Sequence, residues 1–375
     1  MDNALIKRVL DLAVNIQQIP APTFSEAQRS AFIFECFQSE GLSDVAVDQL
    51  GNVYARLPGT GDALPLVISA HMDTVFPAST DLQVSFEAGK ITGPGIGDNS
   101  LGIAGLFGLL WGLRKKAGNG SRTHYPGDVW LVSNVGEEGL GNLCGMKAVV
   151  DRFGDQVLGY IVLEGMALGQ IYHQALNVKR YRISVKTPGG HSWVDYGRPS
   201  SVHILAGIIT RLDALDLPKK PRTTLNIGVV KGGTSVNTIA ESASLELDLR
   251  SEGQHALESV SSMVEKLVQE ANRGEIRVLA ELTGHRPSGK ISIRHPLVRL
   301  AVRCIQQQGL TPHFNAGSTD ANIPLSKGLP SICLGLTTGS GAHTTGEFIR
   351  TDLVSKGLDQ LVCLVEAIFQ ETTRF

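Results

Sequence analysis

Apolar and polar positions along this chain repeat with two periods, and the switches between them mark out the elements. Ile6, Val9, Leu10, Ala13 and Val14 recur at helical spacing and predict a helix over Asn3–Gln17, ended by Ile19-Pro20-Ala21-Pro22. A second helix is expected from about Ser25 to Gly41, then paired strands over Val45–Leu57 around a Gly51-Asn52 turn. The short run Leu66-Val67-Ile68, bounded by Pro65 and Pro77, reads as a buried strand rather than a helix. Gln83–Thr92 suggests a hairpin, and the Gly-rich run Gly93–Gly102 leads into an apolar helix, Ile103–Lys115. Asp128–Val135 and Gln156–Glu164 are two further buried strands.

The middle of the chain changes character. Arg180–Thr187, Thr223–Val230, Thr238–Arg250 and Glu275–Leu282 alternate as strands, with helices at Pro199–Leu215 and His255–Asn272. That βαββαβ order is a ferredoxin-like unit. It is expected to be an inserted α+β domain at residues 178–287, between the two parts (1–177 and 288–375) of an α/β catalytic domain with a mixed sheet flanked by helices. Helix/strand alternation resumes with a helix at His295–Gly309, a loop at Asn315–Asp320 and a strand at Pro330–Gly335. A loop at Thr337–Glu347 and a final helix to about Glu371 complete the pattern.

Composition narrows the function classes. A chain of 375 residues favours two domains over one core, and 42% apolar with 19% charged residues is ordinary for a globular protein. A net charge of −2 gives no general attraction to nucleic acid or anionic lipid. The N-terminus lacks a signal-peptide core, and Leu101–Leu113 is too short and Gly-rich to cross a membrane. Five scattered cysteines without a C-x-x-C pair suggest reduced thiols in a cytoplasmic protein.

Candidate chemistry sits at the strand tips. His71 and Asp73, two apart on a strand, point the same way, and an imidazole beside a carboxylate is how a metal-ligating His is held. Alone, the pair reads rather as the polar end of a core strand, and the other strand tips are what shift the reading. Gly95-Ile96-Gly97 fails as a dinucleotide loop because Asp98 follows it and would repel phosphate. A carboxylate there suits a cation, or caps the next helix. Glu137 and Glu138 lie between Gly136 and Gly139, Glu164 ends another strand, and His343 lies in a loop of glycines and threonines. His71, Asp98, Glu138, Glu164 and His343 together offer two imidazoles and three carboxylates, a set suited to zinc, cobalt or manganese. Five ligands exceed one open tetrahedral site but serve two divalent ions if one carboxylate bridges, and Asp98 on its constrained turn is the natural bridge. Three carboxylates against two divalent ions leave about one positive charge in surplus, which favours a metal-bound hydroxide as nucleophile. Glu137, beside a ligand but not needed as one, is placed to act as general base.

The segments A-H-M-D-T-V, G-P-G-I-G-D-N-S-L-G, E-E-G, L-E-G, G-G-H-S, G-S-T-D-A and A-H-T-T-G-E, with the run Gly232–Arg250, occur in this order along nearly the whole chain. On them the sequence resembles the M20 family of co-catalytic metallopeptidases, the clan of glutamate carboxypeptidase, peptidase T, succinyl-diaminopimelate desuccinylase and the aminoacylases. The resemblance implies a zinc-exopeptidase-like catalytic domain. One metal would be held by His71, Asp98 and Glu164, the other by Asp98, Glu138 and His343, with Asp73 orienting His71 and a cis Asp98–Asn99 bond. It further implies that His191 reaches a substrate carbonyl, often across a dimer interface, and that Asn237 and Arg250 contact substrate. An Arg fork suits a substrate carboxylate, although Arg250 could instead pair with Asp248 or Glu246. The loop Gly317–Asp320 would line the pocket, or Asp320 would cap a helix. One departure is Ala240, where the family's N-x-I-P pattern has proline. His124, His173, His203, His255, His285, His295 and His313 lack motif context and are expected to be structural or surface residues. The expectation is a cytoplasmic two-metal amide hydrolase, homodimeric through the inserted domain, acting on small peptides as a carboxypeptidase- or tripeptidase-like exopeptidase. The alternatives are an N-acyl amino acid deacylase or desuccinylase and, from another class, a non-catalytic metal-dependent binding protein. The intact Glu137 and complete ligand set argue against the last.

Overall fold

A computed structural model describes residues 1–116 and 125–372, so His124 lies outside the described residues. The chain divides into two compact units, Met1–Ala175 with Gly289–Phe375, and Leu176–Ser288. The first unit is built on a nine-stranded mixed sheet. Its centre is four mutually parallel strands in the spatial order Gly127–Asn134, Ala63–His71, Gly159–Glu164 and Ser331–Gly335. These strands read as near-continuous apolar runs because they are buried in the middle of the sheet. Parallel neighbours bring their carboxyl ends to one edge, where open α/β sheets build their sites. His71, Asn134, Glu164 and Gly335 all stand at that edge.

The apolar helix Leu101–Lys116 is core. Residues 96–116 have the length and composition of a membrane span, yet nearly the whole segment is enclosed by the rest of the unit. Three other features were not visible in the periodicity. Gln170–Ala175 and His313–Gly317 pair in parallel at one side of the sheet, so part of the loop expected at Asn315–Asp320 is strand. His313–Gly317 is mostly exposed, and Gln170–Ala175 buries only Ile171 and Ala175 among polar, half-buried neighbours, so neither carries an apolar run to announce it. The helix Cys144–Phe153 follows two left-handed residues, Asn142 and Leu143.

The second unit is a four-stranded antiparallel sheet in the order Thr223–Gly232, Ser242–Ser251, Asn177–Lys186, Arg277–Arg286, with the helices Ser201–Asp213 and Gln254–Ala271 packed on it. Tyr181, Ile183, Leu245, Leu247, Leu257 and Val264 belong to a core of its own. The strand expected over Thr238–Arg250 is broken in two. Thr238–Ile239 pairs with Gly190–His191, while Ser242–Ser251 joins the sheet. At the break the carbonyl of Ala240 accepts from the Thr187 and Ser201 hydroxyls and from the Ser201 amide, so it is unavailable to a ladder.

Candidate metal centre

His71 ends its strand fully enclosed, and the chain turns so that Asp73 comes back beneath it. Nδ1 of His71 lies 3.1 Å from the Asp73 carbonyl oxygen and 3.4 Å from its Oδ1. A proton on Nδ1 satisfies that contact and leaves the Nε2 lone pair for a cation. The Asp73 carboxylate also accepts from the amides of Glu137 and Glu138, both at 2.9 Å, and from the Thr23 hydroxyl at 2.8 Å. One buried carboxylate therefore fixes the end of its own strand and the start of the Glu137-Glu138 turn beyond the neighbouring strand. Burial works to raise its pKa, but the His71 imidazole and the two amides hold it below the usual carboxylate value.

Asp98 is presented by a loop pinned on two sides. Gly95 adopts φ 73°, a conformation that glycine alone takes without strain, and the Asp98–Asn99 bond is cis. On one side the fully buried Glu347 accepts from the amides of Gly97 (2.6 Å), Asp98 (2.7 Å) and Gly95 (3.3 Å). On the other, Asn99 donates to the Leu163 carbonyl at 2.8 Å and accepts from the Gly165 amide at 2.9 Å, which locks the loop to the strand end carrying Glu164. The approach is close enough that a Cβ at Gly165 would sit 2.2 Å from the Gly97 carbonyl oxygen, so the Gly after Glu164 is required by contact.

The two oxygens of Asp98 face different imidazoles. Oδ1 lies 3.1 Å from His71 Nε2, and Oδ2 lies 3.2 Å from His343 Nε2. Glu164 Oε2 is 3.7 Å from His71 Nε2, and Glu138 Oε1 is 3.1 Å from His343 Nε2. His343 is half exposed and itself left-handed (φ 65°), whereas His71 and Glu138 are buried, so the cluster has one open side. Donor atoms of His71, Asp98 and Glu138 lie within 4.8 Å of one another. That trio straddles the two groups and shows how closely they adjoin.

The electrostatics follow from this crowding. Burial opposes charge on His71, yet Asp73, Asp98 and Glu164 raise its pKa well above the ordinary imidazole value. Asp98 and Glu138 lift His343 to about 10. Burial would raise Asp98, but the two imidazoles hold it below the usual range. Glu164 is pushed up to about 7 by burial, with Asp98 and Asp320 adding to it. These carboxylates favour positive charge on the imidazoles. Divalent ions would supply that charge instead and release the protons. The donor set of imidazole nitrogens and carboxylate oxygens, closely spaced and open on one side, fits such ions.

Three side chains near the cluster do something that the sequence motifs do not indicate. Glu347 closes A-H-T-T-G-E, but only the fold shows it clamping the Asp98 loop. Arg29, on the helix Ala27–Ser39, is buried and donates to the Met72 carbonyl at 2.8 Å, setting a positive charge near Asp73. Asp320, expected to line a pocket or cap a helix, is buried and accepts from Asn134 at 2.7 Å, tying its loop to the end of a central strand.

The remaining candidates belong to the second unit. His191 is exposed, and its Nδ1 accepts from the amides of Trp193 (3.2 Å) and Val194 (3.3 Å), so the ring proton sits on Nε2. The Ser192 amide donates to the Asn237 carbonyl at 3.0 Å, which brings Asn237 beside His191. Arg250 is exposed, with Nε 2.7 Å from Asp248 Oδ1, the pairing foreseen as its alternative role.

A mixed α/β sheet with two imidazoles and three carboxylates gathered at the carboxyl edge of its parallel strands defines a metal-dependent hydrolase. The sequence profile of peptidase family M20/M25/M40 matches residues 67–367, and the chain belongs to that family. It is similar to an uncharacterized protein, YqjE, of Bacillus subtilis, at 23% identity over 96% of this chain and 98% of the relative. It is also similar to a succinyl-diaminopimelate desuccinylase of Corynebacterium glutamicum, at 22% identity over 90% of each chain. Among solved structures, a tripeptidase of Staphylococcus aureus shares the fold with a TM-score of 0.78 at 24% identity, covering 97% of this chain and 99% of the other. Aminopeptidase PepT of Bacillus cereus does so with 0.75 at 24% identity, covering 97% and 98%.

Proposed function

We propose that the protein is a two-metal exopeptidase acting on small peptides. The observation that carries this is the split of Asp98, one oxygen toward His71 and the other toward His343. His71, Asp98 and Glu164 would hold one ion and Asp98, Glu138 and His343 the other, zinc being the first choice and cobalt or manganese the alternatives that these nitrogen and oxygen donors also suit. Bound there, the ions supply Lewis acidity toward the scissile carbonyl and lower the pKa of water. Glu137 is buried next to Glu138, its amide fixed by Asp73. Its carboxylate takes a proton from the attacking water and delivers it to the departing amine nitrogen, so the amide C–N bond breaks and a carboxylate and an amine leave. His191 contributes an Nε2–H donor for the substrate carbonyl as negative charge builds on its oxygen. Asn237 and Arg250 would bind the rest of the substrate.

A homodimer formed through the second unit is part of this reading. The edge strand Thr223–Gly232 exposes Val229 and Val230, and Trp193, Val194 and Tyr196 stand exposed after His191. Five free thiols fit a cytoplasmic location. A second reading, removal of an N-acyl group from an amino acid, is favoured by the relatives named succinyl-diaminopimelate desuccinylase and N-acetyldiaminopimelate deacetylase. The test is a panel of dipeptides, tripeptides and N-acyl amino acids, assayed before and after chelation and metal return. Turnover confined to acyl-amino acids replaces the peptidase reading with the second. Activity that survives complete metal removal overturns both.

A further inference from the structure

Two of the five cysteines meet between two packed helices of the first unit. Cys304 lies in the helix Pro296–Gln307 and is 2% exposed, while Cys363 lies in the C-terminal helix Val354–Thr372, which packs against it, and is partly exposed. Their Sγ atoms are 2.6 Å apart, and the Cys363 thiol also reaches Gln307 Oε1 at 2.9 Å. The other three thiols are spread over separate elements: Cys333 inside the sheet, Cys36 and Cys144 on other helices.

We propose that Cys304 and Cys363 form a reversible disulfide when the protein meets a small disulfide such as oxidised glutathione, stapling the C-terminal helix to the helix Pro296–Gln307. Cys363, the more accessible sulfur, attacks one sulfur of the oxidant as its thiolate. That S–S bond breaks, one glutathione thiolate leaves, and a mixed disulfide remains on Cys363. Cys304 then gives its proton to solvent and attacks the Cys363 sulfur, expelling the second glutathione. Two protein thiols are oxidised by two electrons, and one glutathione disulfide is reduced to two thiols. Burial and the neighbouring Cys363 raise the pKa of Cys304, so the second attack is the slow one.

The position gives the link a structural consequence. Gln360 of the C-terminal helix donates to the Gly335 carbonyl at 2.7 Å, and the helix passes so close to Leu336 that a Cβ at Gly357 would lie 1.9 Å from its carbonyl oxygen. That helix thus braces the strand end from which the His343 loop departs. A link between residues 59 apart in sequence restricts the unfolded chain strongly, so the oxidised protein should resist unfolding better.

The experiment incubates the purified full chain with oxidised glutathione, alkylates remaining thiols and maps peptides without reduction. The expected result is a mass loss of two hydrogens, protection of two of five thiols, and one peptide pair joining Cys304 to Cys363. The melting temperature should rise by several degrees, and dithiothreitol should reverse every change. Cys363→Ser should abolish both the pair and the rise. A glutathione adduct left on Cys363 with Cys304 still alkylated overturns the proposal, as does alkylation of all five thiols. The wild-type map decides the matter even where the variant fails to fold.

Discussion

The carboxyl edge of the central sheet and the His191 hairpin of the second unit both carry candidate chemistry, but they hold it by opposite means. At the sheet edge His71, Glu138 and the Asp98 loop are buried or pinned, and the carboxylates that orient them, Asp73 and Glu347, are saturated by backbone amides from distant segments. At His191 the ring is fixed locally: it takes the amides of Trp193 and Val194, and the His191 amide goes to Asp195 at 2.8 Å. Charge that must be held at fixed spacing is built on strand ends and cross-braced. A donor that must meet something arriving from outside is presented on an exposed turn with its tautomer preset.

The comparison breaks most severely at Asp98, the one side chain shared by both imidazoles. Asp98→Ala should lower bound metal below two ions per chain and abolish turnover, as read by metal analysis and steady-state assay; a fully metallated variant contradicts the bridge. Glu137→Ala should separate chemistry from binding. Metal content should stay at the wild-type value while kcat falls by about 10²–10⁴-fold, and normal turnover removes Glu137 as the base. His191→Ala should lower kcat by about 10²–10³-fold with metal content and melting temperature unchanged, because the bonds its ring makes are confined to its own turn. Glu347→Gln should act the other way, weakening metal affinity by about 10–100-fold through a loosened Asp98 loop, read by competition with a chelating dye.

That contrast also explains what was legible in the sequence. His71, Glu138 and Glu164 stand out because apolar runs lead into them, and Asp98 because a carboxylate on a Gly-rich turn suits a cation better than a phosphate. The mixed sheet with flanking helices follows from the same runs. Glu347 and Arg29 stay hidden because their partners are backbone groups far away in sequence, Gly97 and Asp98 for one and Met72 for the other. A side chain whose task is to satisfy remote amides or carbonyls leaves no spacing to read. The strands Gln170–Ala175 and His313–Gly317 escape for a related reason: ladder hydrogen bonds join them to the sheet, and the few apolar residues they bury, Ile171 and Ala175, make no run.

Arg250 gives the finest test. Its guanidinium is already engaged by Asp248, which also takes Arg180 at 3.0 Å. Deleting Arg250 leaves Asp248 with a cation, so no buried charge is orphaned, and an exposed pair of this kind contributes under about 1 kcal/mol to stability. If Arg250 turns to a substrate carboxylate, exchanging one carboxylate for another, Arg250→Ala should raise KM for peptides with a free C-terminus by about tenfold. The same peptides amidated at that end should be unaffected, because they offer no second carboxylate for the fork to grip. An equal KM for both peptide forms in the wild-type enzyme would leave Arg250 as a strand-surface partner of Asp248. Substrate contact would then rest with the His191 hairpin.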